Sequence, residues 1–143
     1  MAGKLTSTNN RFDMMLVFDG GSLGNPGKGY GSFYLAGSDG FEILERLEFG
    51  DNVTNNQAEY RTFIAGIEAA ISHAESNGTT ARSQSISVRT DSKLVVEQVN
   101  GRWKVKHPDL QPLCKQAREL LARFGSSDLS WHPRAESVKL LGH

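Results

Sequence analysis

Met14-Met15-Leu16-Val17-Phe18 sets five apolar residues in succession, ends on Asp19 and runs into Gly20-Gly21-Ser22. An apolar run without polar alternation suits a short strand buried on both faces, at the centre of a sheet covered by helices. A carboxylate at the tip of such a strand is costly unless it reaches solvent, a basic partner or a metal. Asp19 is therefore a functional candidate; the alternative is a capping or turn aspartate ahead of the glycines.

A length of 143 residues fits one domain with a proper core. Residues 1–12, polar and without periodicity, read as a flexible lead-in, and residues 13–143 as the single domain. One cysteine, Cys114, cannot form an internal disulfide, and no export signal or apolar span of about 20 residues stands out. These features point to a reducing cytoplasm with no membrane, and a monomer is the default. Formal charge is zero, yet Asp39 to Glu75 holds eight acids and two bases, whereas Gly101 to Arg123 holds six bases and two acids. One basic segment is enough to meet a polyanion.

The opening strand leads into Gly20 to Gly29, five of whose ten residues are glycine, a composition for tight turns or close approach to a ligand. Gly29 to Ala36 and Phe41 to Phe49 alternate with period two, apart from a break at Leu44-Glu45, and Ser38-Asp39-Gly40 supplies a turn between them. The three strands predict an antiparallel meander. At Thr54-Asn55-Asn56-Gln57-Ala58-Glu59 the period changes: Tyr60, Phe63, Ile64, Ile67, Ile71 and Ala74 follow helical spacing up to Asn77-Gly78. Glu59 then falls in the first turn, where the helix dipole alone would favour an acid. Ser85 to Thr90 is a second strand that ends in an acid, Asp91, before a short helix through Val99. Asp91 reads as a site residue or as an N-cap.

Arg102-Trp103-Lys104-Val105-Lys106-His107-Pro108 mixes cations with an aromatic ring, which suits a sugar-phosphate chain or a solvated loop. Leu110 to Phe124 forms a further amphipathic helix. Asp128 to His132 reads as the last strand, and any helix after it is short or missing.

If the first and fourth strands are parallel neighbours, Asp19 and Asp91 share one sheet edge and Glu59 can face them. Clustered carboxylates repel unless cations hold them, and oxygen-only donors select hard ions such as Mg²⁺ or Mn²⁺. No zinc spacing, P-loop ending or nucleophilic triad is evident. Carboxylates with hard metals indicate phosphoryl transfer on a polyanion.

Four segments in order resemble ribonuclease H of type 1 in its compact prokaryotic form. They are Phe18-Asp19-Gly20-Gly21-Ser22 with Gly24-Asn25-Pro26-Gly27, Thr54 to Glu59, Thr90-Asp91-Ser92 and, more weakly, His132-Pro133-Arg134. The resemblance implies an α/β fold with a five-stranded mixed sheet, order 3-2-1-4-5, and helices on both faces. It also implies two-metal cleavage of the RNA strand of an RNA·DNA hybrid. Asp19, Glu59 and Asp91 would be the catalytic, metal-binding carboxylates, with Asp19 bridging two Mg²⁺ or Mn²⁺ ions. Asn25, Asn55 and Asn56 would face the minor groove, where the 2′-hydroxyl distinguishes RNA from DNA, and Thr54 a DNA phosphate. The asparagines also fit plain turn and capping roles.

The chain departs from that family in three places. The usual fourth carboxylate, seven residues past the arginine, is Leu141 here, so one ion has fewer ligands unless Glu136, Asp128 or water substitutes. The usual histidine two residues before the proline is Trp131, leaving His132 one residue along as a possible accessory. Gly101 to Asp109 is too short for the basic protruding helix of larger members, so Trp103 and Lys104 are candidates for part of its substrate contact. Beside the nuclease stand two other expectations: a hybrid-binding module with weakened or lost turnover, and a nuclease for branched DNA.

Overall fold

The computed structural model describes residues 12–142, so residues 1–11 of the expected lead-in, and His143, lie outside the described residues. The elements are β1 (Met14–Leu23), β2 (Gly27–Gly37), β3 (Glu42–Val53), α1 (Asn55–Ser76), β4 (Ser85–Thr90), α2 (Lys93–Val99), α3 (Gln111–Leu121), β5 (Ser126–Trp131) and α4 (Arg134–Leu141). They build one five-stranded sheet in the order β3-β2-β1-β4-β5. β1 pairs antiparallel with β2 and parallel with β4, which makes the sheet mixed and puts the apolar run at its centre.

Period two along β1 divides its side chains between two layers. Met14, Leu16 and Phe18 enter the main core with α1, α2 and α3, while Met15 and Val17 meet Leu141 of α4 on the opposite face. Helices therefore cover both faces, and the terminal helix is short, at eight residues. Phe18 stacks on Phe63 with ring centroids 4.7 Å apart. Burying a side chain of that size contributes about 1.5–3 kcal/mol, so α1 is held chiefly by this face.

Thr54 starts α1 with a capping box: its hydroxyl accepts from the Gln57 backbone N–H, and the Gln57 side chain accepts from the Thr54 N–H. Such caps contribute about 1 kcal/mol and fix where the helix begins. Tyr60, Phe63, Ile64, Ile67, Ile71 and Ala74 are all buried, as their spacing predicts, and the helix stops at Asn77.

Two local expectations need correction. β1 does not stop at Asp19 but continues to Leu23, with Asp19 opposite Ser32 and Gly20 opposite Gly31. The chain turns at Gly24-Asn25-Pro26 instead, where Gly24 adopts φ +87°. Glycine at positions 20 and 21 leaves the backbone ladder intact, because what it removes is side-chain bulk. Likewise β5 ends at Trp131, and His132 leaves the strand.

Candidate active site

Asp19 lies two residues beyond Val17 and continues the face of β1 that α4 covers; it is only 4% exposed. The parallel register pairs Val17 with Arg89, so two further residues bring Asp19 level with Asp91 just past β4. Glu59 comes from the opposite layer. It is the fifth residue of α1 and no acid stands in the first turn, which corrects the dipole reading. What brings it in is Gly20: a Cβ there would stand 2.7 Å from the Ala58 carbonyl and 2.8 Å from the Glu59 nitrogen. Without that Cβ, the start of α1 lies directly on β1.

Three further side chains bind this edge together. Ser92 Oγ donates to Glu59 Oε1 at 2.7 Å while accepting from the Val95 N–H as the cap of α2. Trp131 Nε1 donates to the Asp91 carbonyl at 3.2 Å. Arg134, the first residue of α4, sets Nη1 3.4 Å from Asp91 Oδ2 and 3.8 Å from Asp19 Oδ2. Burial pushes the Glu59 carboxyl from 4.5 up to about 7, against the Ser92 hydrogen bond, with the charges of Asp19 and Asp91 adding to the rise and Arg134 opposing it. Glu59 thus senses the charges of both aspartates.

Among the described residues no three histidine, cysteine, aspartate or glutamate side chains are grouped, as they stand, so as to hold an ion together. A guanidinium bridges two of the acids instead. The donor set still fits a hard divalent ion: it is all oxygen, and a cationic group already bridges Asp19 and Asp91. Asp19, Glu59 and Asp91 are the residues that would hold such an ion.

The asparagines lie beside this edge. Asn25 Oδ1 accepts from the Asn55 N–H at 3.0 Å, and Asn55 Oδ1 accepts from the Ser22 N–H at 2.9 Å, which ties the β1–β2 turn to the start of α1. Asn25, Thr54, Asn55 and Asn56 line a cleft of about 310 Å³ with Gln57, His107, Asp109 and Leu110. The oxygens of Asn25, Thr54 and Asn55 thus do the turn and capping work. Trp103 and Lys104 are exposed and line a separate groove of about 620 Å³ with Arg102, Lys115 and Arg118; none of the three acids lines it.

Two accessory candidates sit elsewhere than expected. His132 is buried, its Nε2 2.9 Å from Ser137 Oγ, so the ring is a packed core group rather than a mobile proton carrier. Burial lowers its pKa. Glu136 is exposed on α4 and pairs with Lys139 at 3.8 Å. Leu141 is fully buried against Met15 and Val17. Conversely, Arg134, Ser92 and Trp131 join the site without having been singled out as site residues. The sequence offered Asp91 as the cap of α2; the cap is Ser92, whose second bond, to Glu59, spans 33 positions.

The sheet order and the helices on both faces are those of the ribonuclease H-like fold. A family model described as reverse transcriptase-like matches residues 38–138. The N-terminal RNase H domain of Rv2228c from Mycobacterium tuberculosis superposes with a TM-score of 0.78 at 37% identity, covering 90% of this chain and 88% of that one. RNase H1 of Halobacterium salinarum gives 0.77 at 35%, covering 89% and 90%. LC11-RNase H1, solved in complex with an RNA/DNA hybrid, gives 0.77 at 25%, with 89% and 90% covered. In sequence, the bifunctional protein Rv2228c is 42% identical over 87% of this chain, and the Halobacterium ribonuclease HI 38% over 85%. The chain spans 32% of the first relative's length and 57% of the second's. It belongs to the ribonuclease H family, type 1.

Proposed function

We propose that the chain hydrolyses the RNA strand of RNA·DNA hybrids with Mg²⁺ or Mn²⁺ held by Asp19, Glu59 and Asp91. The observation that carries this reading is the convergence of those acids from β1, α1 and the end of β4 on one edge, where Arg134 touches two of them and where burial, with their charges adding, raises the pKa of the third. Bound divalent ions supply the charge that activates water and stabilises a leaving 3′ oxygen. The chain contributes the rest. Ser92 orients the Glu59 carboxylate, and Trp131 fixes the backbone of Asp91. Because Asn25 and Asn55 use their oxygens internally, the groups they present to the cleft are amide donors, suited to 2′-hydroxyls and base-edge acceptors. Thr54 lies at the same rim for a DNA phosphate. Lys104, with Arg102 and Lys115, gives the groove beside Trp103 the charge and aromatic surface that a nucleic-acid strand requires. The solved complex of LC11-RNase H1 with an RNA/DNA hybrid and the Halobacterium ribonuclease HI support the substrate class.

A second reading, hybrid binding with weakened turnover, is favoured by the buried apolar Leu141 where the family expectation put a fourth acid. One assay separates the two. Labelled hybrid is incubated with the protein in Mg²⁺ and in Mn²⁺ beside an Asp91→Asn control. Cleavage by the unaltered chain that the control loses supports the nuclease; binding without cleavage in either ion supports the second reading.

A further inference from the structure

Trp131 gives its indole N–H to the Asp91 carbonyl and leaves its ring without a task. It closes β5 opposite Thr90, level with the residue before Asp91 on the neighbouring strand. Leu129, two residues earlier on the same face of β5, is 6% exposed and enters the main core, whereas Trp131 is 49% exposed. The largest apolar side chain of the strand is thus the one left in solvent, beside an acid.

The ring is also held still. Nε1 donates to the Asp91 carbonyl at 3.2 Å, the next backbone N–H, that of His132, donates to the Thr90 carbonyl at 3.0 Å, and the His132 ring is buried beside Ser137. Backbone and side chain are therefore fixed before anything binds. A rigid, half-exposed indole offers contact area at little cost in conformational freedom, which is why tryptophan is prominent where partners meet.

Position says what the ring meets. Along the sheet edge the asparagine cleft lies on the β1–β2 side of the acids and Trp131 on the β5 side, with Asp19 and Asp91 between them. A polynucleotide that reaches from the cleft over the acids continues onto the indole. In a duplex the bases are stacked on one another, so the apolar surface open to a ring is the C–H face of a sugar. Lys93, two residues past Asp91, has a 64% exposed side chain and, while pairing with Glu97 at 3.6 Å, puts a cation on this same flank for a phosphate.

We propose that Trp131 is a substrate-binding residue whose indole packs on a ribose of the RNA strand, on the β5 side of the phosphate held at the acids. The proposal rests on the hybrid-cleavage reading for its substrate and adds a contact on the flank opposite the asparagine cleft.

Trp103 is the other tryptophan of the chain, so Trp103→Phe leaves Trp131 as the single indole fluorophore. In that background, with Asp91→Asn added to prevent cleavage, a short RNA·DNA hybrid is titrated in and its binding is followed by calorimetry. Trp131 emission is expected to fall in step with binding. Two variants of the otherwise unaltered chain separate the ring from its N–H, because both lack the donor. Trp131→Leu is expected to raise KM for hybrid cleavage by about tenfold, while Trp131→Phe holds KM within about twofold and lowers kcat through a looser Asp91 backbone. Hybrid binding without a change in emission, or equal KM for the Leu and Phe variants, would overturn the proposal. No hybrid binding at all overturns it together with its substrate. Binding with quenching, but no cleavage by the chain that retains Asp91, defeats the nuclease reading alone and leaves the contact standing.

Discussion

Gly20 faces the first turns of α1 so closely that its missing side chain is what lets Glu59 reach the sheet edge: a Cβ at position 20 would lie 2.7 Å from the Ala58 carbonyl carbon and oxygen. Backbone on both sides leaves nothing flexible to move aside. Gly20→Ala is therefore expected to destabilise the fold by about 1–3 kcal/mol and to push Glu59 away from Asp19 and Asp91. Urea denaturation reads the first effect and Mn²⁺ affinity the second. A variant unchanged in both would show that the helix can back away freely.

Glu59 ties stability to pH. Its folded-state pKa, about 7, is raised above the ordinary 4.5, chiefly by burial. Below pH 4.5 the carboxyl is protonated in both folded and unfolded chains and costs nothing. Between 4.5 and 7 the unfolded chain ionises while the folded one resists, so stability falls, by on the order of 3 kcal/mol once the folded carboxyl is also ionised. Metal-free Glu59→Gln is expected to melt above the unaltered protein at pH 8 and with it at pH 4. Equal melting temperatures at pH 8 would mean that the charge is already compensated.

His132 acts in the opposite direction. Burial lowers its pKa below 6.5, so the folded state favours the neutral ring. That contribution is complete above pH 6.5 and is lost as pH falls through and below it, when the unfolded chain binds the proton more readily. His132→Gln is expected to flatten this acid-side loss in thermal melts while leaving any dependence of hybrid cleavage above pH 7 unaltered. A shifted cleavage profile would return the residue to the chemistry.

Leu141 is a core residue, fully buried with Met15 and Val17. Introducing an acid there removes apolar packing and buries a charge, which is expected to cost roughly 3 kcal/mol or more. An acid at this position would match the family pattern, but the packing predicts a loss of stability with no gain in activity. Thermal melts beside the hybrid assay check both halves, and a stable, faster variant would show that the helix end can turn outward.

Much of this could be read without coordinates. The apolar run of β1, the period of two in β2 and β3 and the helical spacing from Tyr60 to Ala74 are local signals, carried by residues at most a few positions apart. They gave the element order, and the element order implied that Asp19 and Asp91 end on one edge. Composition misled at Gly20-Gly21, which read as a turn. A glycine pair marks close approach as readily as a bend, and only the backbone of Ala58 distinguishes the two.

The sequence by itself determined the strands, the helices and the three acids, because hydrogen-bond periodicity and side-chain chemistry are properties of the chain. Tertiary structure alone decided what surrounds those acids. Arg134 lies 43 positions from Asp91 and 115 from Asp19, yet touches both. His132 and Leu141 went inward because α4 folds back over the face of β1 that carries Met15 and Val17. The reason is physical: burial and charge pairing belong to contacts between distant segments, and no local pattern encodes which segment will arrive.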